Sequence, residues 1–183
     1  IGAALTVIGG LIKAIWKLNV ASTGSDIRWM DDGMFAWMAP GYTILAWSIW
    51  QAVRSVRGMK TFHIWLLPAA ISILTLASSY YLATSSPESL AWKRILLSVM
   101  VLASILTSIL LIIFAFRQKL TLAGLLFVVN LIIIFVMNGL ARMPEQTITL
   151  QWIEESINSI SWLFFAIGSY KIYKYTHKNF GLD

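Results

Sequence analysis

Long apolar segments alternate along the chain with short segments that are polar or rich in turn-forming residues. Continuous apolar runs, such as residues 109–114 and 131–136, lack the alternation of apolar and polar residues that membrane β-strands show. They predict helices, which satisfy their backbone polar groups internally. Six apolar stretches are predicted, at about residues 1–20, 33–56, 62–83, 93–116, 120–141 and 152–175.

The composition indicates that these helices lie in a lipid bilayer. Of 183 residues, 58% are hydrophobic and only 12% are charged, whereas about 25% of the residues of a soluble domain are charged. A bilayer core needs roughly 20 mainly apolar residues per helix, so six spans would use most of the chain. We therefore expect an all-α integral membrane protein, with residues 1–183 forming one transmembrane six-helix bundle of three antiparallel hairpins.

Basic residues are concentrated on one side of the predicted membrane. With six spans, the two termini share one side with the second and fourth connections, and most Lys and Arg residues fall there. These residues are Arg54, Arg57, Lys60, Arg117, Lys119, Lys171, Lys174 and Lys178. The positive-inside rule makes that side cytoplasmic. It also accounts for the net charge of +6, so no nucleic-acid partner is expected. The predicted location is the inner (plasma) membrane, with multiple passes and both termini in the cytoplasm.

Three tryptophans suggest an internal repeat. Trp29, Trp92 and Trp152 each follow an outer connection and open an even-numbered predicted span. A triplicated hairpin would produce this pattern, with a period of about 60 residues. An aromatic belt at the outer membrane interface would produce it without any duplication. Both interpretations remain open at the level of sequence.

Several kinds of chemistry lack the residues they require. The chain has no cysteine and only two histidines, His63 and His177, and both are predicted near the cytoplasmic boundary. A pair of haem-ligating imidazoles inside the bundle is therefore not expected. No H-E-x-x-H, P-loop or nucleophile-elbow motif occurs. We expect no metal, no cofactor and no catalytic residues.

Two acidic pairs are the densest candidate chemistry. Asp31 and Asp32 precede the second span, and Glu154 and Glu155 open the sixth. Carboxylates near a membrane interface can bind cations, relay protons or act as general acids. Acids in the first turn of a helix also interact favourably with its dipole, which is a purely structural alternative. The predicted polar site consists of Lys13, Asp31, Asp32, Asn130, Glu155, Asn158 and Ser159.

The spacing of Glu155, Asn158, Ser159 and Trp162 places these residues on one face of the sixth helix. This face is the predicted lining of a polar site. Asn130 lies deep in the fifth span, where hydrogen bonding to a neighbouring helix is the structural alternative.

Lys13 and Lys17 stand one turn apart near the outer end of the first span. A lysine at the centre of a membrane helix costs roughly 2.5–3.5 kcal/mol on insertion scales, and a carboxylate at similar depth would offset part of that cost. We therefore predict that one of these lysines pairs with an acid that opens the second or sixth span. Snorkelling of the side chain to the interface is the alternative.

These observations favour a non-enzymatic subunit that packs against protein partners within a larger membrane complex. A transporter or channel for a small solute or cation is the alternative, with the predicted polar site lining its route. An enzyme acting on lipid head groups is a third possibility.

Overall fold

The computed structural model describes residues 1–62, 65–86, 88–140 and 148–180. Within these ranges the chain forms six α-helices and no β-strand. The helices are α1 (Gly2–Thr23), α2 (Arg28–Val56), α3 (Leu66–Ser85), α4 (Ala91–Arg117), α5 (Thr121–Leu140) and α6 (Ile148–Phe180). The predicted all-α fold class is confirmed. His63 and the connection at residues 142–145 lie outside the described residues.

Four of these helices, α1, α3, α4 and α5, are long and apolar enough to span a bilayer. The two longest helices, α2 and α6, have 29 and 33 residues but are more polar. In α6 the stretch between Glu155 and Lys171 is shorter than the roughly 20 residues that a bilayer core requires. In α2, Pro40 and several tryptophans replace aliphatic residues. The chain is thus a helical protein with four membrane-spanning candidates in its described part, and six crossings remain a prediction.

The chain divides into two compact units, Ile1–Thr107 and Ser108–Asp183. In the first unit, α1 and α2 form a closely packed antiparallel hairpin. A methyl group added to Gly2 would lie 2.8 Å from the carbonyl oxygen of Gly41, and one added to Gly41 would lie 2.9 Å from the backbone nitrogen of Thr6. Distances this short leave no room for a side chain. Glycine at both positions therefore allows the two backbones to touch.

The connection between α1 and α2 is held by side-chain hydrogen bonds. The indole Nε1 of Trp16 donates to Asp26 Oδ1 at 3.0 Å, and Asn19 Nδ2 donates to the carbonyl oxygen of Ser25 at 2.8 Å. Gly24 ends α1 in the left-handed conformation with φ of 70°, which glycine adopts at little cost. These contacts determine where α2 begins relative to the end of α1.

A second contact in the first unit joins α2 to α4. Phe35 and Ala39 of α2 and Leu96 of α4 form a buried cluster, against which Trp92 and Met100 pack. In α4 the cluster residues recur at helical spacing, so one face of this helix is directed at α2. Helix α3 packs against α2 as well.

The second unit is built around the packing of α5 on α6. Ala123 and Phe127 of α5 are fully buried. The ring of Phe127 contacts Phe165 edge to face, with centroids 5.7 Å apart. A methyl group added to Gly168 would lie 2.8 Å from the Phe127 ring. Gly168 therefore provides the space in α6 that the phenylalanine occupies.

The three tryptophans that suggest a repeat lie in the first two turns of their helices. Trp29 and Trp92 are the second residues of α2 and α4, and Trp152 is the fifth residue of α6. Trp29 and Trp152 are exposed, whereas Trp92 is partly buried against the α2–α4 cluster. A common depth for these side chains in a bilayer remains a prediction.

Candidate functional site

Charged side chains from three helices meet at one end of the first unit. Lys13 Nζ of α1 forms an ion pair with Asp31 Oδ1 of α2. Lys93 Nζ of α4 lies 2.8 Å from Asp32 Oδ1 and 3.5 Å from Asp31 Oδ2. Asp31 therefore bridges two ammonium groups, and the charges alternate in the order Lys13, Asp31, Lys93, Asp32. We call these four residues the charge cluster. The prediction that Lys13 or Lys17 pairs with an acid opening the second or sixth span is confirmed by the Lys13–Asp31 pair.

The charge cluster is partly shielded from solvent and balanced in charge. The side chains of Lys13 and Asp31 are each 26% exposed, and those of Lys93 and Asp32 are 29% and 32% exposed. Two ammonium groups face two carboxylates, so the formal charges cancel. Aromatic rings complete the surroundings: Lys13 Nζ lies 4.1 Å from the ring centroid of Trp16, and Lys93 Nζ lies 5.3 Å from that of Phe35. Both arrangements are cation–π contacts.

The close packing of α1 on α2 explains why Lys13 reaches Asp31. Gly2, Thr6 and Gly9 are the buried residues of α1, and Lys13 follows them at the next helical interval, so it continues the same face. A methyl group added to Gly9 would lie 3.0 Å from the carbonyl oxygen of Met34. Asp31 precedes Met34 by one turn. The glycine-lined contact thus brings the lysine and the carboxylate to the same level.

Lys93 is the member of the charge cluster that the sequence reasoning missed. The sequence does indicate its position, because Lys93 stands three residues before the buried Leu96. Residues at this spacing share a face of a helix. A basic residue at the start of an apolar helical face is a candidate partner for acids on the neighbouring helix.

The acids of α2 act mainly as partners for lysines. Asp31 lies in the first turn of α2, where it also interacts favourably with the helix dipole. The residue that caps the helix, Ile27, makes no side-chain capping hydrogen bond. The interaction with the helix dipole therefore explains part of the position of Asp31 and Asp32, and the ion pairs with lysines of two other helices explain the rest.

The remaining predicted site residues belong to the second unit. The amide Nδ2 of Asn130 donates to the carbonyl oxygen of Ser161 at 3.0 Å and to its Oγ at 2.7 Å. Both residues are buried. Asn130 thus links α5 to α6 in the helix-to-helix role that was the structural alternative for it.

The predicted polar face of α6 differs from the face that contacts α5. Ser159 and Trp162 are exposed, and Glu155 and Asn158 are partly exposed. Buried positions of α6 occur instead at Ser161 and Gly168. On this side of the helix lies Glu154, whose Oε1 atom is buried and accepts no hydrogen bond from any described residue.

Among the residues that the structure describes, no group of three or more His, Cys, Asp or Glu side chains is arranged to hold a metal ion. The imidazole of His177 stacks on Tyr173 with ring centroids 5.8 Å apart. The structure thus brings Lys13, Asp31 and Asp32 together with Lys93 in the first unit. It places Asn130, Glu155, Asn158 and Ser159 in the second unit.

No family model, no curated protein and no solved structure matches this chain.

Proposed function

We propose that this protein is a non-enzymatic, multi-pass subunit of a larger membrane complex. It crosses the inner (plasma) membrane six times, keeps both termini in the cytoplasm and packs against partner subunits within the bilayer. The observation that carries this proposal is the difference between two faces of α1. One face is packed tightly on α2, and another, which includes the small residues Gly10 and Ala14, is exposed.

The open face of α1 is formed by Ala3, Val7, Gly10 and Ala14, all of which are exposed. Within the part of the chain that the structure describes, a methyl group added to Gly10 would have no atom within 4 Å, in contrast to the adjacent Gly9. Glycine in an exposed helix costs about 1 kcal/mol relative to alanine, and packing among the described residues does not account for the glycine at position 10. Gly10 and Ala14 form a small-x-x-x-small pattern, which lets a second membrane helix approach closely. The expected occupant is therefore a helix of a partner subunit.

The charge cluster favours a structural role over a transport route. A carboxylate that binds a transported cation needs an oxygen free to coordinate it. Both oxygens of Asp31 face ammonium groups, Oδ1 that of Lys13 and Oδ2 that of Lys93. Asp32 Oδ1 also faces Lys93, so the lysines already occupy both oxygens of Asp31 and one oxygen of Asp32. The cluster ties α1, α2 and α4 together at one end, as expected of a scaffold.

The lengths of α2 and α6 support six crossings. At 1.5 Å per residue, 29 and 33 residues extend about 43 and 50 Å, which exceeds the roughly 30 Å thickness of a bilayer core. Lys171 and Lys174 of α6 can extend their aliphatic stems along the helix towards the interface. Polar residues at the ends of α6 are thus compatible with a span, and the concentration of basic residues on the terminal side supports cytoplasmic termini.

Purification in a mild detergent, followed by mass spectrometry of the proteins that accompany the chain, tests this proposal. We expect stoichiometric partner subunits with the wild-type protein and their loss with Gly10→Ile, because the added side chain fills the open face. Ala4→Ile is the matched control, since Ala4 is also exposed on α1 but lies about 120° around the helix from Gly10 and about 80° from Ala14.

A chain that purifies alone and conducts ions or solutes after reconstitution into liposomes would refute the subunit proposal. It would support the transporter instead. Loss of partners with both variants would show that α1 is generally sensitive to substitution and that the open face is not the contact.

A further inference from the structure

A basic groove lies in the second unit, where α5 begins and α6 approaches its end. Its volume is about 590 Å³. Four lysines line it: Lys119, Lys171, Lys174 and Lys178. Leu120 and Leu122 form an apolar side of the same groove. A concave surface that combines several ammonium groups with apolar side chains suits an amphipathic anion.

Local structure explains why the lysines converge. Lys171, Lys174 and Lys178 recur at intervals of three and four residues, so they share one face of α6. Lys119 reaches the groove from the turn between α4 and α5, where its φ of 59° reverses the chain. The hydroxyl of Tyr175 donates to Gln118 Oε1 at 2.7 Å and holds α6 against this turn. The two sides of the groove are thereby fixed to each other.

The groove is electropositive, because its lysines are not neutralised by carboxylates of the described residues as those of the charge cluster are. No described residue forms an ion pair with any of its four lysines, whereas each lysine of the charge cluster faces a carboxylate. The first turn of α5 carries no acid, and Ala123, in that turn, also lines the groove. Backbone N–H groups in the first turn of a helix have no partner within the helix and favour an anion. The α5 terminus therefore adds to the attraction of the lysines.

We propose that this groove binds the headgroup of an anionic phospholipid that carries more than one negative charge. Helix α5 is apolar enough to span a bilayer and begins at Thr121, so the groove lies at the level where a membrane presents its phosphates. Leu122 is more than half exposed beside the lysines and is positioned to contact acyl chains. Basic pockets between membrane helices bind such headgroups. A zwitterionic headgroup leaves most of the lysine charge unmatched.

Native mass spectrometry of the purified full-length chain, titrated with defined lipids in detergent, tests the site. The probes are cardiolipin, which has two phosphates, phosphatidylglycerol, which has one, and phosphatidylcholine, which has no net charge. We expect affinity to fall in that order. Each lysine near an anionic headgroup contributes about fivefold, so Lys174→Gln with Lys178→Gln should weaken cardiolipin binding about 25-fold. Lys119→Gln should weaken it about fivefold from the other side of the groove.

The matched control is Arg57→Gln with Lys60→Gln, which removes the same charge from exposed positions of the first unit. This control should change cardiolipin affinity by less than about a factor of two. If both double variants weakened cardiolipin binding equally, the lipid would be attracted by net charge alone, and the proposed site would be wrong. Complete displacement of cardiolipin by millimolar inorganic phosphate would reassign the groove to a soluble phosphate. Because Gly10→Ile does not touch the groove, failure of the partner proposal would leave this result unaffected.

Discussion

Removing the carboxylate of Asp31 should destabilise the protein more than removing the ammonium group of Lys13. In Asp31→Asn, Lys13 loses its only ion-pair partner among the described residues, while Lys93 keeps Asp32. In Lys13→Met, Asp31 retains Lys93 at 3.5 Å, and an apolar side chain replaces a charge inside a membrane helix. The two substitutions break the same pair but leave different residual charges.

The size of the destabilisation expected for Asp31→Asn follows from how far Lys13 and Asp31 are exposed to solvent. Breaking a buried ion pair by removing one partner costs about 3–5 kcal/mol, and an exposed pair contributes about 0–1 kcal/mol. Lys13 and Asp31 are about three-quarters covered, so we expect Asp31→Asn to lower the free energy of unfolding by about 1–3 kcal/mol. The double variant Lys13→Met with Asp31→Asn leaves Lys93 paired with Asp32 and restores neutrality. It should therefore be more stable than Asp31→Asn alone.

A double-mutant cycle measured by reversible unfolding in mixed detergent micelles tests this reasoning. The expected coupling between Lys13 and Asp31 is about 1–2 kcal/mol. Asp32→Asn is the internal comparison, because Asp32 contacts one lysine and Asp31 contacts two. Additive effects of the two substitutions, or equal losses for Asp31→Asn and Asp32→Asn, would refute the bridging role of Asp31.

Three further outcomes are expected. A reporter fused to the C-terminal end should be cytoplasmic, and labelling by an impermeant reagent in intact cells would disprove the six-span topology. Asn130→Leu should lower the free energy of unfolding by about 1 kcal/mol, because its hydrogen bonds to Ser161 join α5 to α6; an unchanged unfolding curve would show that they contribute nothing. Gly41→Leu should destabilise the chain by about 1–3 kcal/mol, since even a methyl group there meets the backbone of α1, whereas Gly10→Ala should leave the unfolding midpoint equal or higher.

The sequence was sufficient to predict helices in a membrane and an ion pair between a lysine of the first span and an acid of another span. Continuous apolar stretches allow only a helix in lipid, so the secondary structure followed from composition and periodicity. The pairing of Lys13 or Lys17 with an acid of the second or sixth span followed from energetics, because a charged side chain in a membrane helix is costly without a partner at similar depth. The structure showed that the pair is Lys13 with Asp31. Both predictions depend only on the residues of single helices and on the order of the helices along the chain, and not on which helix faces contact each other.

The identity of the contacting faces was decided only by the tertiary structure. Gly9 and Gly10 are equivalent by sequence, yet one packs on α2 and the other is open. On α6 the buried positions are Ser161 and Gly168, although the predicted polar face ran through Ser159 and Trp162. In a membrane, apolar residues face lipid and neighbouring helices equally well, so hydrophobic periodicity does not distinguish the two environments. Which face is buried depends on close packing with a particular neighbour, such as Phe127 against Gly168, and that information is distributed over two distant segments of the chain.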